Sequence, residues 1–214
     1  MSETKPKLLI YGAGYTGELL VTEYLRGKKT DYNMVGFIDD RKTGQWAGLP
    51  ILGTRKDLPA LREQGIDNII VSLFQNAALR LEICHGLEEL SFNFPSVAPA
   101  IPGTVDIGKG VYVRENVDFL GYHQDIGDFS VIGSYAVIEG GVKIGKGVLL
   151  SPGTFVGRDV VIGDGSVMYA HAGVSPMVKI GSRCIIGPNT HLNRDLADNK
   201  KYFRTHISES ELSI

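Results

Sequence analysis

The sequence predicts an α/β N-terminal half domain followed by a left-handed parallel β-helix, and two patterns indicate this fold. In the first ninety residues, apolar strand-like runs alternate with segments of helical periodicity. From Ile101 to Leu192, an apolar residue recurs every six positions with one interruption. We therefore expect two domains, residues 1–92 and 93–196, and a C-terminal tail over residues 197–214.

The composition of the 214-residue chain predicts a cytoplasmic protein. Its formal net charge of −2 gives no indication of a nucleic-acid or anionic-membrane partner. It has no apolar run of 18 residues that would predict a membrane span, and its first residues, MSETKPK, lack the apolar stretch of a signal peptide. Its two cysteines, Cys84 and Cys184, lie far apart, which is typical of free thiols in a reducing compartment.

Strands and helices alternate in the N-terminal half. Apolar runs predict three strands, at residues 8–11, 34–40 and 68–74. Helical patterns predict one helix directly after the first strand and two more at residues 56–65 and 76–90. This alternation is typical of βαβ units with a parallel sheet.

A glycine motif joins the first strand to the first helix. Gly12, Gly14 and Gly17 match G-x-G-x-x-G, and an acidic pair, Asp39 and Asp40, follows the second strand. Such glycines allow a tight turn and let a phosphate approach the N–H groups at a helix N-terminus. Because the α/β segment is only half as long as a full dinucleotide fold, we favour a Rossmann-like mononucleotide half that binds a nucleotide or nucleotide-sugar. NAD binding and a purely structural role for the glycines are the alternatives. The two aspartates are expected to contact a ribose or base, or else to cap the next turn.

The C-terminal half has a six-residue repeat. Its sixteen leading positions are all Ile, Val, Leu, Met or Phe, and glycine follows eight of them. The fifth position is small or β-branched in every unbroken hexad before the last. Three hexads make an 18-residue coil whose first and fifth side chains point inward, which is the signature of a hexapeptide β-helix.

The repeat is interrupted once, in the stretch FLGYHQDIG, where seven residues separate Phe119 from Ile126. Counted forward from Phe119, His123 falls in the inward fifth position, where an imidazole would overpack the interior unless the extra residue forms a bulge. Bulges often re-aim side chains beside active sites. We therefore favour a catalytic His123, with a solvent-facing turn histidine and a buried histidine as alternatives.

The two halves together resemble the bacterial sugar acyltransferases that include sialic-acid O-acetyltransferases and the N-acetyltransferases of bacillosamine- and perosamine-type sugars. The likeness runs from residue 7 to about residue 196 and rests on GAGYTG, GFIDD, GLPILGTRKDL, NFPSVAPA, the hexads, IGDF and GGVKIG. It implies that the N-terminal domain binds a nucleotide-sugar and that the β-helix binds acetyl-CoA. It also implies a homotrimer that acylates its substrate between adjacent subunits, for surface-glycan synthesis.

The resemblance also implies roles for particular residues. It makes His123 the catalytic base and the Gly140 N–H the donor to the developing oxyanion. Cofactor contacts are expected at Gly140 and along the following turns. The substrate would lie against the glycine-rich turn and the acidic pair. The cofactor residues are Gly140, Gly157, Arg158 and Ser175, and the substrate residues are Gly12, Gly14, Tyr15, Thr16, Gly17, Asp39 and Asp40.

The sequence departs from the family at the site itself. Counted backward from Ile126, the histidine position holds Tyr122, so Tyr122 and His123 both remain candidates for the base. The acid that should follow the histidine is Gln124, although Asp125 or Glu139 could orient an imidazole. In the N-terminal motif, YT replaces the usual glycine and histidine.

These features predict an acetyl-CoA-dependent enzyme that N-acylates an amino sugar, because an amine tolerates a weakened base better than a hydroxyl does. Sugar O-acetylation and a non-catalytic nucleotide-sugar-binding or assembly subunit are the alternatives. No metal is expected, since His123, His171 and His191 fall on different turns and corners. The tail is expected to form a short helix over the open end of the β-helix or to be disordered.

Overall fold

The computed structural model describes residues 5–26 and 31–203, which form an α/β domain followed by a parallel β-helix. The elements of the first domain are β1 (Lys7–Tyr11), α1 (Tyr15–Arg26), β2 (Asn33–Ile38), β3 (Gln45–Trp46), β4 (Leu49–Gly53), a 3-10 turn (Arg55–Asp57), α2 (Leu58–Glu63), β5 (Asn68–Val71) and α3 (Ala77–Glu89). The strands form one sheet in the order β3-β4-β2-β1-β5, which is parallel except for the β3–β4 pair.

The predicted fold class is confirmed, with small differences at the strand ends. The second strand ends at Ile38 and the third at Val71, two and three residues earlier than predicted, so Asp39 and Ser72 already lie at the carboxyl edge of the sheet. This edge is where parallel α/β sheets bind ligands. Among the described residues, no helix is both long and apolar enough to cross a membrane.

The hairpin of β3 and β4 was not predicted. Its two-residue turn, Ala47–Gly48, has φ angles of 48° and 80°, as a type I′ turn requires. Asn-Gly and Asp-Gly are the usual sequences for such a turn, so Ala-Gly gives little signal.

The second domain is a prism of short strands in three parallel sheets. The strands are β6 (Val105–Ile107), β7 (Tyr112–Val113), β8 (Asp118–Phe119), β9 (Gln124–Ile126), β10 (Val131–Ile132), β11 (Val137–Ile138), β12 (Lys143–Ile144), β13 (Leu149–Leu150), β14 (Phe155–Val156), β15 (Val161–Ile162), β16 (Val167–Met168), β17 (Gly173–Val174), β18 (Lys179–Ile180), β19 (Ile185–Ile186), β20 (His191–Leu192) and β21 (Lys201–Tyr202). Val131 pairs with Leu149 and Leu149 with Val167, so one coil takes the predicted 18 residues.

The leading and fifth positions of the hexads fill the interior. Aliphatic side chains such as Ile132, Ala136 and Val156 are fully buried there. The fifth position also holds small polar residues. The Ser130 hydroxyl donates to the Gly145 carbonyl (2.8 Å) and accepts from the Val148 N–H (3.0 Å), so it links successive coils.

The end of the prism differs from the predicted helical or disordered tail. Within the described residues, Lys201–Tyr202 pairs with β19 and Leu196 bridges Ile180, each 16 rather than 18 residues further along. The last coil is therefore two residues shorter than the others. Residues 204–214 lie outside the described part of the chain, and the domain boundaries at residues 92 and 196 stay predictions.

The two domains pack tightly against each other through a shared core and a buried arginine. Phe74 stacks on Tyr112 of the prism, with ring centroids 4.6 Å apart. Arg80 on α3 donates to the carbonyls of Phe74 (3.0 Å), Phe129 (3.1 Å) and Gly147 (3.1 Å), the last two from the prism. Burial lowers the pKa of Arg80 to about 10, so the side chain remains charged at neutral pH.

Candidate functional site

The extra residue of the interrupted hexad lies in the turn between β8 and β9. β9 keeps its register with β6 and β12, so the structure absorbs the insertion before Gln124. Gln124 is fully buried in the inward position, where its Nε2 donates to the Leu120 carbonyl (2.8 Å). The count backward from Ile126 therefore gives the true positions, and His123 does not point into the prism.

His123 lies on an acidic face of the prism. Its Nε2 is 2.9 Å from Asp125 Oδ1 and 3.6 Å from Asp106 Oδ2, and its side chain is 58% exposed. These three side chains are the one group of potential metal ligands found among the described residues, with ligand atoms within 4.8 Å of one another. Exposed groups of this kind are common without an ion.

An open cleft of about 310 Å³ lies beside the same turn, across three successive coils. Tyr122 comes from the first coil, Glu139 and Gly140 from the second, and Arg158 from the third. Leu120, Gly121 and Pro176 complete the lining. The structure thus brings four of the predicted site residues together, and it leaves His123, Gly157 and Ser175 outside this lining.

Tyr122 occupies the centre of the cleft. Its hydroxyl donates to Asp159 Oδ1 at 2.7 Å, and the other carboxylate oxygen, Oδ2, is 3.3 Å from Arg158 Nε. The hydrogen bond to the Asp159 carboxylate raises the pKa of Tyr122 above its usual value, so the phenol is protonated at neutral pH. Asp159 was not singled out from the sequence, because its distance from Tyr122 along the chain hides their contact across two coils.

Gly140 stands out among the corners of the prism. At the equivalent corner positions, the N–H groups of Lys109, Lys146 and Ser182 donate to aspartates of neighbouring coils. Within the described residues, the N–H of Gly140 has no such partner. A Cβ at Gly140 would lie 2.9 Å from both the backbone N and the Cδ1 of Tyr122, so only glycine fits here. The corner therefore offers a free backbone donor beside the phenol.

The remaining predicted cofactor residues have structural partners. Glu139 Oε2 accepts from the Arg158 N–H at 2.7 Å, which fixes the carboxylate at the cleft edge. Gly157 packs so closely on Pro176 that a Cβ would lie 2.6 Å from the proline nitrogen. Ser175 Oγ is 2.8 Å from His191 Nε2.

A second pocket, of about 300 Å³, lies at the glycine motif of the first domain. Gly12, Gly14 and Thr16 line it on one side. A Cβ at Gly17 would lie 2.3 Å from the Gly12 carbonyl oxygen, whereas a Cβ at Gly14 would meet nothing within 4 Å. Gly17 therefore serves helix–strand packing, and Gly14 leaves room for a ligand. Tyr15 begins α1 and is 74% exposed.

The two aspartates of GFIDD take different positions. Asp39 lines the pocket, but its carboxylate accepts from the N–H groups of Ala13 (2.8 Å), Arg41 (2.9 Å) and Lys42 (3.0 Å), so it holds the glycine turn in place. Asp40 accepts from the Tyr11 hydroxyl (2.8 Å) and lies outside the lining.

Two cations of this pocket were not predicted from the sequence. Arg41 and Lys42 both line it, and Lys42 Nζ lies 3.6 Å from the centre of the Trp46 ring while donating to the Ala13 carbonyl. Their position directly after β2, at the carboxyl edge of the sheet, was the available signal.

Comparisons with known proteins agree with both domains. Residues 7–87 match the PglD N-terminal domain, and residues 125–158 match the bacterial transferase hexapeptide repeats. No curated protein sequence matches the chain. The fold and these matches define the class: a hexapeptide-repeat transferase that carries a PglD-type N-terminal domain.

Solved structures place the chain more closely within this class. A histidine-to-asparagine variant of perosamine N-acetyltransferase from Caulobacter crescentus, in complex with CoA and GDP-perosamine, is 25% identical, with 92% of this chain and 93% of that chain covered and a TM-score of 0.85. The acetyltransferase domain of PglB from Neisseria gonorrhoeae FA1090, in complex with acetyl coenzyme A, shares the fold at 23% identity, with coverages of 94% and 97% and a TM-score of 0.82. The resemblance to the hexapeptide-repeat sugar acyltransferases is thereby confirmed.

Proposed function

We propose that this protein is an acetyl-CoA-dependent N-acetyltransferase that acts on a nucleotide-linked amino sugar in bacterial surface-glycan synthesis. The observation that carries the proposal is the match of both domains, over 92% of the chain, to an N-acetyltransferase whose structure holds CoA and GDP-perosamine. An acetyl transfer of this kind needs a nucleotide-sugar site and a thioester site, and the two domains offer one pocket each.

The pocket of the first domain suits a nucleoside diphosphate. The glycine turn leads into the N-terminus of α1, where backbone N–H groups and the helix dipole favour a phosphate. Arg41 and Lys42 add two positive charges to the rim. The free space at Gly14 lets a pyrophosphate approach the backbone, and Tyr15, Thr16 and Asp39 flank that position.

The cleft of the prism is proposed as the acyl-transfer site. The Gly140 N–H would donate to the thioester oxygen as negative charge develops on it, and Glu139 would help to orient the acceptor. Tyr122 and His123 are the candidates for the group that receives the proton. Arg158, Gly157 and Ser175 would lie along the cofactor, with Arg158 able to meet its phosphates.

The assembly proposed for the protein is a homotrimer in the cytoplasm. The cleft is open on one side, and Leu120, Tyr122 and Phe155 expose apolar surface near it. A neighbouring copy of the prism would cover this surface and close the site. Cys84 and Cys184 are free and buried, which agrees with a reducing compartment.

A thermal-shift experiment tests the binding half of this proposal. Ligands that bind the folded state raise the unfolding temperature, so we expect CoA and GDP-perosamine each to raise it, with their effects adding. In Gly14→Val, the new side chain would enter the ligand space without touching the protein. This variant should keep the shift with CoA and lose the shift with GDP-perosamine.

The control for this experiment is Gly103→Val, another position where a Cβ would meet nothing within 4 Å. It should respond to both ligands like the unaltered protein. An unchanged GDP-perosamine shift in Gly14→Val would place the nucleotide elsewhere, and no shift with any nucleotide-linked amino sugar would favour a different function.

A further inference from the structure

The geometry points to Tyr122 and Asp159 as the proton-transfer pair of this enzyme, in place of a histidine. We infer that Tyr122 takes the proton from the attacking amine while its own hydroxyl proton passes to Asp159. This inference rests on the proposed function and names the groups that carry out its proton transfer.

The first support is the position of the phenol beside the free backbone donor. Tyr122 is part of the cleft lining, and its ring lies against Gly140 so closely that a Cβ there would be 3.0 Å from Cε1. A thioester whose oxygen meets the Gly140 N–H would therefore place its carbonyl carbon, and the amine attacking it, near the Tyr122 hydroxyl. General acid–base groups must lie within hydrogen-bond reach of the reacting proton.

The second support is the way in which Asp159 is held. Its Oδ1 accepts from the Tyr122 hydroxyl at 2.7 Å, and its Oδ2 faces Arg158 Nε at 3.3 Å. Asp159 sits at a corner of the prism with a φ of 57°, and its carboxylate occupies the space that a side chain at Gly141 would need, 2.1 Å from an ideal Cβ. The carboxylate is thus oriented toward the phenol from the neighbouring coil.

The third support is the orientation of the nearby histidine. The His123 ring is directed toward Asp125 and Asp106 on the adjacent face of the prism, and it is not part of the cleft lining. The insertion between β8 and β9 explains this arrangement, because it leaves Tyr122 at the cleft and moves His123 past it.

The proposed transfer balances as follows. The amine nitrogen bonds to the thioester carbon, and the carbonyl π electrons move to the oxygen at the Gly140 N–H. The nitrogen then loses a proton to the Tyr122 oxygen, while the Tyr122 proton moves to Asp159. The C–S bond breaks as the carbonyl re-forms, and the thiolate of CoA takes up the proton that leaves Asp159 through Tyr122. The products are the amide and CoA thiol, with both side chains restored. Because the phenol is protonated at the start, it acts as a relay and Asp159 acts through it.

Tyr122→Phe and Asp159→Asn test this pair. With acetyl-CoA and GDP-perosamine, or another nucleotide-linked amino sugar that the unaltered protein accepts, each variant should lose roughly 10²- to 10⁴-fold in kcat. The KM for acetyl-CoA should change little. The double variant should lose no more than the worse single variant, because the two groups act as a unit. The residual rate should rise with pH, since hydroxide and free amine replace the missing acceptor.

Matched controls remove the same groups elsewhere. Tyr135→Phe and Asp164→Asn alter an exposed phenol and an exposed carboxylate of the prism that are not part of the cleft lining, and both should keep full turnover. Full turnover by Tyr122→Phe or by Asp159→Asn would overturn the inference, as would a change confined to KM. Loss in His123→Asn with full activity in Tyr122→Phe would return the role to the imidazole. If the unaltered protein transfers no acetyl group, the proposed function fails and the inference fails with it.

Discussion

At the scale of single residues, the interior of the prism shows how a narrow space selects side chains. Ser130 and Thr154 both occupy inward fifth positions and are both fully buried. The Ser130 hydroxyl has a donor and an acceptor in the next coil. Within the described residues, Thr154 Oγ1 has no hydrogen-bond partner. The same repeat position therefore holds one hydroxyl that stabilises the fold and one that costs free energy.

Two substitutions at these positions should have opposite effects on stability. Ser130→Ala leaves the Gly145 carbonyl and the Val148 N–H without their partner, and it should lower the free energy of unfolding by about 1–3 kcal/mol. Thr154→Val keeps the shape of the side chain and removes an unpaired hydroxyl, so it should raise that free energy by about 1 kcal/mol. Urea titrations of the two variants check both signs, and a loss of stability in Thr154→Val would mean that the hydroxyl has a partner.

At the scale of elements, the repeat made most of the fold predictable. Each strand of the prism ends on a leading apolar residue of a hexad, so the six-residue period alone located the strands and the buried side chains. The β3–β4 hairpin escaped prediction because Ala47 adopts a left-handed φ that alanine rarely takes. Local sequence carries no signal for such a turn when tertiary packing enforces it.

The candidate site was less predictable than the fold for a related reason. Counts from Phe119 and from Ile126 assign different positions to Tyr122 and His123, and only the pairing of β9 with β6 and β12 decides between them. The contact between Tyr122 and Asp159 joins residues 37 positions apart. Such a contact becomes visible only once the coils are stacked.

At the scale of the whole molecule, Arg80 is the central link between the domains. It is 2% exposed, and its guanidinium bonds three carbonyls from both domains. The charge is thus compensated by carbonyl dipoles around it. This link holds the nucleotide pocket of the first domain in a fixed position relative to the cleft of the prism.

Arg80→Met should therefore destabilise the protein strongly. The apolar side chain fits a similar volume but leaves the carbonyls of Phe74, Phe129 and Gly147 without a donor. At about 1–3 kcal/mol for each buried group left unpaired, the loss in unfolding free energy should reach at least about 3 kcal/mol. Arg183→Met, at an exposed position of the prism, is the control and should cost less than about 1 kcal/mol. Equal stabilities of the two variants would show that Arg80 does not link the domains.

The measurement that tests the central claim most directly is the mass spectrum of GDP-perosamine, and of other nucleotide-linked amino sugars, after incubation with the protein and acetyl-CoA. We expect one acetyl group on the acceptor, in an amide that survives hydroxylamine, together with release of the CoA thiol. An acetyl group that hydroxylamine removes would indicate O-acetylation. Unmodified sugars beside intact acetyl-CoA, across the whole set of acceptors, would contradict the account.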